Sequence, residues 1–249
     1  MKQKLILACA TLLMTSCSMK TYYQVVEVKS TNLQKENNNY VYNDGVCKIV
    51  YNFWSNGGDA GFSIENLSDD VVYVDLGNSF YIENGLAKDY SNTKMVAELN
   101  SDVASVEKTA VAIPPHAAKI ISEYKVMADV IQNCSVKLLV KKGQPEGMTL
   151  TESESPIKFR NYITYRANEN ATAKVIINDF YISGFTNYIS SDIVKTRTHG
   201  CKQTLIKTHL DKFAPDCFYM KYDETHSNDY SADAKSSNKN SNSKQYSYW

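Results

Sequence analysis

Short runs in which apolar and polar residues alternate strictly, each closed by a turn, constrain this chain more than any other feature. In Cys47-Lys48-Ile49-Val50-Tyr51-Asn52-Phe53, the residues Cys47, Ile49, Tyr51 and Phe53 fall on one side and Lys48 and Asn52 on the other. A period of two is what an extended strand imposes, because successive side chains point to opposite faces. The same spacing would scatter the apolar residues around a helix, so this segment is read as a half-buried strand. The turn Ser55-Asn56-Gly57-Gly58-Asp59 leads to a second strand with Phe62 and Ile64 inward and Ser63 and Glu65 outward. Beyond Asn66-Leu67-Ser68-Asp69-Asp70 follow Val72, Val74 and Leu76, then a strand from Ser79 to Glu83. Asn84-Gly85 ends it, the dipeptide that accepts the positive φ values of a tight hairpin.

The pattern continues with strands expected at Tyr22 to Val28, Ala110 to Ile113, Ile120-Ile121, Val136 to Val140, Ile157 to Tyr165, Ala173 to Ile182 and Cys217 to Tyr222. Pro114-Pro115 has no N–H to donate and marks a strand end or edge. Ser91 to Lys108 reads as a long polar loop. Helical character is confined to Val126 to Gln132 and to Lys202 to Phe213, where Leu205, Ile206, His209, Leu210 and Phe213 share a helical stripe stopped by Pro215. Eight or more short strands with turns between them predict two antiparallel sheets packed face to face. One extended sandwich over 17–223 is expected, with a possible subdivision near 143–155, where the chain is polar and bears Gly and Pro.

The first sixteen residues read as an export signal. Lys2 and Lys4 precede the apolar run Leu5 to Met14, which is too short to span a bilayer. Met14-Thr15-Ser16-Cys17 resembles a lipobox, with small residues before a thiol that accepts a lipid and becomes the new N-terminus. Ser18 after Cys17 is similar to outer-membrane sorting signals, and Ser18 to Thr21 lacks an acidic surface-export patch. The expected location is therefore the outer membrane, lipid-anchored, on the periplasmic face. Lys plus Arg and Asp plus Glu each number 27, a balance that argues against a nucleic-acid partner. Residues 224–249, with Ala232 and Ala234 as the sole aliphatic side chains, are expected to be a disordered tail.

Sites of chemistry are few. The chain contains no nucleophile elbow, phosphate loop, dinucleotide fingerprint, zinc-protease helix or calcium loop. Asp69-Asp70 reads as a turn, and His116 and His226 as solvated surface residues. His199, Cys201, His209 and Cys217 offer tetrahedral zinc donors at a spacing that fits no familiar module. In an oxidising compartment a Cys201–Cys217 disulfide is the leading alternative, followed by free thiols. No cofactor or metal is expected. Tyr22, Tyr23, Tyr40, Tyr42, Tyr51, Tyr73, Tyr81 and Tyr90 lie in or beside strands, where tyrosine suits a half-buried pleated surface. Trp54 and Tyr81 are the weak candidates for ligand contact.

The segment Cys47 to Tyr90 resembles a group of uncharacterised lipoproteins from gut Bacteroidales. The resemblance rests on Phe62-Ser63-Ile64-Glu65-Asn66, Val74-Asp75-Leu76, Phe80 and Asn84-Gly85, and extends to Ile113-Pro114-Pro115 and Phe218-Tyr219-Met220-Lys221-Tyr222. It implies an immunoglobulin-like β-sandwich and a lipid anchor, and assigns no activity to any residue. The expected function is a non-enzymatic interaction or envelope accessory module attached to the membrane by its N-terminal lipid. A glycan- or peptide-binding lipoprotein of a nutrient-uptake system is the alternative.

Overall fold

The alternating segments form two antiparallel sheets in a computed structural model, which describes residues 19–90, 110–199, 205–212 and 214–227. The larger sheet has eight strands. Its spine runs β15 (Cys217–Asp223), β1 (Thr21–Ser30), β12 (Lys174–Ile189), β11 (Lys158–Arg166), β6 (Val72–Glu83) and β7 (Leu86–Asp89). Two short strands complete it: β10 (Glu146–Thr149) extends the sheet beside the second half of β12, and β8 (Val111–Ile113) lies beside the start of β6. The smaller sheet orders β2 (Gln34–Glu36), β3 (Asn39–Asn43), β4 (Cys47–Tyr51), β5 (Phe62–Asn66) and β9 (Ala118–Ile121). The two faces make an all-β sandwich with more strands than the roughly seven to nine of an immunoglobulin domain. No helix among the described residues is long and apolar enough to cross a membrane.

Alternation decides which residues meet between the sheets. Cys47, Ile49, Tyr51 and Phe53 are all fully buried, and Phe62, Ile64, Val72 and Val74 join them. Tyr51 and Phe53 of the smaller sheet reach across to Phe180 of β12, with ring centroids at 4.7 and 5.2 Å, and Phe53 meets Phe159 of β11 edge to face at 5.6 Å. Tilted and edge-on contacts of this kind contribute about 0.5–1.5 kcal/mol per pair beyond area burial. Asn84 and Gly85 take φ values of 46° and 87° and join β6 to β7, as their sequence predicts. The edge strand β8 stops at Ile113, immediately before the two prolines.

Four expected elements differ. Val72 to Leu76 and Ser79 to Glu83 are one strand, β6, bent where the register against β11 shifts between Tyr162 and Thr164. The bend is held by polar groups: Ser79 Oγ donates to the Asp75 carbonyl, and the Thr164 N–H donates to Ser79 Oγ. The helix expected over Lys202 to Phe213 is instead β14 (Leu205–Leu210), paired with β13 (Val194–His199) in a separate hairpin. Thr196, Thr198, Ile206 and Thr208 are β-branched and favour extended backbone, and the residues at 205, 206, 209 and 210 also fit a two-residue period imperfectly. Helix is confined to the single turn α1 (Ser190–Ile193) and a 3-10 turn at Glu224–Ser227. Val126 to Gln132 is irregular, as is Val136 to Val140, where an isolated bridge joins Asn133 to Val136.

That irregular chain covers the part of the large sheet that the smaller sheet leaves open. Buried side-chain amides replace the missing ladder, because a buried backbone group without a partner is costly. Gln24 Nε2 donates to the Ile131 carbonyl and to Asn187 Oδ1, each at 2.9 Å, while the Ile131 N–H donates back to Gln24 Oε1 at 2.7 Å. Asn187 Nδ2 donates to the Lys137 carbonyl, and Tyr222 Oη to that of Leu138. Val126, Met127, Val130 and Val140 are thereby held in the core. The expected signal peptide at 1–16 lies outside the described residues, as do positions 228–249 of the expected tail.

Candidate functional site

The outer face of the large sheet, turned away from the smaller one, carries a row of part-exposed aromatic rings at its β15 edge. Tyr219 of β15 stands at the centre. Trp54 lies on one side at 5.3 Å between ring centroids and Tyr23 of β1 on the other at 6.0 Å, inclined to Tyr219 by 54° and 56°. The three rings are thus inclined to one another rather than coplanar. Tyr188 of β12 is the cross-strand partner of Tyr23, and Lys212 Nζ sits 5.8 Å from its ring centre. Burial, followed by the neighbouring Tyr219 phenol, raises the pKa of the Tyr23 hydroxyl above that of a free tyrosine, so it stays protonated and able to donate.

Local sequence explains why Trp54 is presented there. The turn after β4 lies along the free edge of β15, where the Gly57 N–H donates to the Tyr219 carbonyl at 2.9 Å and the Tyr219 N–H donates to Ser55 at 3.2 Å. Asn56 Oδ1 accepts from the Lys221 N–H. Gly57 and Gly58 have φ of 87° and 74°, and a Cβ on Gly58 would lie 2.9 Å from Cγ of Phe218. No side chain fits there without displacing the core, so the two glycines fix a turn that docks on the sheet. Asn52 Oδ1 accepts the Trp54 N–H and sets the indole's backbone.

The other sequence candidate, Tyr81, is corrected. Its side chain is fully buried, stacked on Tyr124 at 5.2 Å, and its hydroxyl has no hydrogen-bond partner among the described residues. It faces the core because it falls on the inner phase of β6, which the bend at Asp75 to Ser79 sets. Tyr22, Tyr40, Tyr51 and Tyr90 are buried too. Tyr51 accepts a hydrogen bond from Asn178 Nδ2 and Tyr90 donates to Asn161, so these phenols close polar gaps in the core. Sequence reasoning passed over Tyr219, whose shared outward phase with Lys221, opposite Phe218 and Met220, was the available signal.

A second exposed apolar surface lies across the same face. Phe80 and Ile82 of β6, Tyr162 of β11, Val175 of β12 and Ala87 of β7 line a groove of about 530 Å³. Among the described residues, the polar side chains that line it are Asp75, Asn78 and Thr164 at one end.

Cys217 is a half-buried free thiol, and burial first, then the Asp216 and Glu27 charges, push it up to about 12. Cys201, its expected partner, lies outside the described residues, as does the lipidation candidate Cys17. Register sets His199 opposite Leu205 and His209 opposite Lys195. Cys47 is buried and free, likewise raised to about 12 chiefly by burial, and Cys134 is exposed and free. His116 pairs with Asp69 at 3.0 Å and His226 with Asp129 at 3.0 Å, all on the surface. Among the described residues, no three His, Cys, Asp or Glu side chains converge as metal ligands do. The chain matches no known family model, no curated protein and no solved structure.

Proposed function

We propose that this chain is an outer-membrane lipoprotein, anchored through Cys17, whose sandwich serves as a non-enzymatic interaction module of the cell envelope. The observation that carries the interaction role is the Trp54, Tyr219 and Tyr23 row. Three neighbouring rings are held part-exposed on a rigid sheet, where ring faces offer a ligand large contact area at low entropic cost. The anchor rests on the charge, length and small residues that precede Cys17. A glycan- or peptide-binding lipoprotein of a nutrient-uptake system is the second reading, favoured by the part-exposed inclined rings and by the exposed amides of Asn52 and Asn56 beside them. Sugar rings and extended peptides both lay an apolar edge against aromatic faces and hydrogen-bond at the rim.

The test is a glycan and peptide array probed with the mature chain, followed by titration of any hit against Trp54→Ala and Tyr219→Ala. Loss of binding by about tenfold or more in both variants is expected. Unchanged binding in both, or loss instead in Tyr162→Ala at the groove across the sheet, would overturn the assignment of the site.

A further inference from the structure

The irregular segment that closes the inner face of the large sheet carries an apolar groove at the end where the chain enters β1. Val136, Leu138 and Leu139, all part-exposed, and the exposed Cys134 line this groove of about 690 Å³. Three contacts fix its position relative to the N-terminus. Tyr22 of β1 stacks on Tyr222 of β15 at 5.6 Å between ring centroids, and Tyr222 Oη donates to the Leu138 carbonyl at 2.7 Å. Lys20 Nζ lies 3.5 Å from Glu224, which opens the 3-10 turn Glu224–Ser227, and His226 of that turn forms part of the groove wall.

Polar groups around the groove already have partners within the protein. The carbonyls of Lys137 and Leu138 accept from Asn187 Nδ2 and Tyr222 Oη, the Val136 N–H donates to the Asn133 carbonyl, and the Ser135 N–H donates to Asn133 Oδ1. Lys137 donates to Glu146 through both its N–H and its Nζ, and His226 Nε2 lies 3.0 Å from Asp129 Oδ1. What the groove offers a ligand is therefore chiefly hydrocarbon. A sugar or an extended peptide needs hydrogen-bond partners in place of the water it gives up, whereas an alkyl chain needs none. The groove fits a flexible, unbranched apolar chain.

We infer that this groove seats one acyl chain of the lipid carried at Cys17. The inference rests on the lipoprotein reading given above. Cys17 precedes Lys20 by three peptide units, which span at most about 11 Å, so the lipid is attached within reach of the groove. The other exposed apolar groove, around Val175, lies toward the opposite end of β12 from Ile189, the partner of Tyr22, roughly 45 Å away along the strand. A tether of this length holds the acyl chain at high local concentration beside the nearer groove. Moving that chain from bilayer to groove exchanges one apolar surrounding for another, and the gain is the apolar wall that leaves water. A seated chain also holds this end of the sandwich against the leaflet.

The experiment follows the acyl chain by photocrosslinking. Cells expressing the full chain are grown with a diazirine-bearing palmitate analogue. The purified lipoprotein is placed in nanodiscs of unlabelled phosphatidylethanolamine and phosphatidylglycerol, irradiated, and mapped by mass spectrometry. Crosslinks from the Cys17 lipid to peptides covering 132–139 are expected, well above those to Val175 and Ile177, which are also exposed. Val136→Glu/Leu139→Glu, which places charge on the groove wall, should lower them about tenfold, with circular dichroism confirming the fold. In the converse arm, unlabelled protein in discs of diazirine-bearing phospholipid should crosslink there only weakly. Equal crosslinking from both sources would assign the groove to leaflet lipid and overturn the inference. Crosslinks that appear only after removal of 228–249 would assign it to the C-terminal segment of the chain and overturn it as well. Label at Cys17 without crosslinks to the groove would sink the seat and keep the anchor, whereas absence of label would sink the anchor and this occupant with it.

Discussion

Replacing Gln24 with Leu tests whether buried amides hold the irregular half of the core. The side chain is fully buried and makes three hydrogen bonds, two to Ile131 and one to Asn187. Leu fills nearly the same volume but can accept or donate nothing. The change strands the Ile131 N–H, the Ile131 carbonyl and Asn187 Oδ1, each at a cost of about 1–3 kcal/mol when buried. Burying an apolar side chain in place of the amide offsets about 1–2 kcal/mol. The net loss is centred on about 4 kcal/mol, or roughly 8–16 °C in Tm for a chain of this size. Urea and thermal unfolding measure it. Hydrogen exchange localises it, because the Ile131 amide and the segment around Val126 to Val140 should lose protection before the strands of the large sheet do. Asn187→Leu should be strongly non-additive with Gln24→Leu, since the two side chains share a bond. A loss below about 1 kcal/mol, or additive effects, would show that apolar packing alone holds the segment and that the amides are incidental.

Removing one unsatisfied group should have the opposite sign: Tyr81→Phe should leave stability unchanged or raise it by about 1 kcal/mol, whereas Tyr51→Phe, which deprives Asn178 of its acceptor, should lower it by about 1–2 kcal/mol, as read by denaturant melts. Gly58→Ala should destabilise by about 2–4 kcal/mol, through its φ of 74° and the contact with Phe218, and should shift Trp54 emission; an unperturbed melt would refute the fixed turn. Asp44 is exposed, and neighbouring groups that partly desolvate its carboxylate would alone raise its pKa, but N–H bonds from Cys47 and Val46 and the Tyr165 hydroxyl hold it below the usual carboxylate range. Its folded pKa is depressed, so its contribution is complete above the unfolded value near 4 and fades as pH falls through the lower folded value. Asp44→Asn should therefore lessen the loss of stability as pH falls below about 4, and an unchanged acid limb would refute this. Growth with labelled palmitate should mark the unmodified chain and leave Cys17→Ala unlabelled; label retained by the variant would refute lipidation at that thiol.

Much of the fold was written in local sequence. A two-residue period identified the strands around Ile49, Ile64 and Phe218 and their buried faces, because the pleat converts alternation directly into inside and outside. Asn84-Gly85 and Pro114-Pro115 set a turn and a strand end through their own backbone limits. Other features required the tertiary structure. Leu205 to Leu210 carries a pattern tolerated by both helix and strand, and only pairing with Val194 to His199 decides between them. Tyr81 and Tyr219 are alike as residues, but the bend in β6 sets one inward, while the position of β15 at an edge leaves the other part-exposed beside Trp54. The three aromatic residues of the row are separated by up to 196 positions. Strand register brings Tyr23 and Tyr219 together, because antiparallel pairing places the start of β1 beside the end of β15.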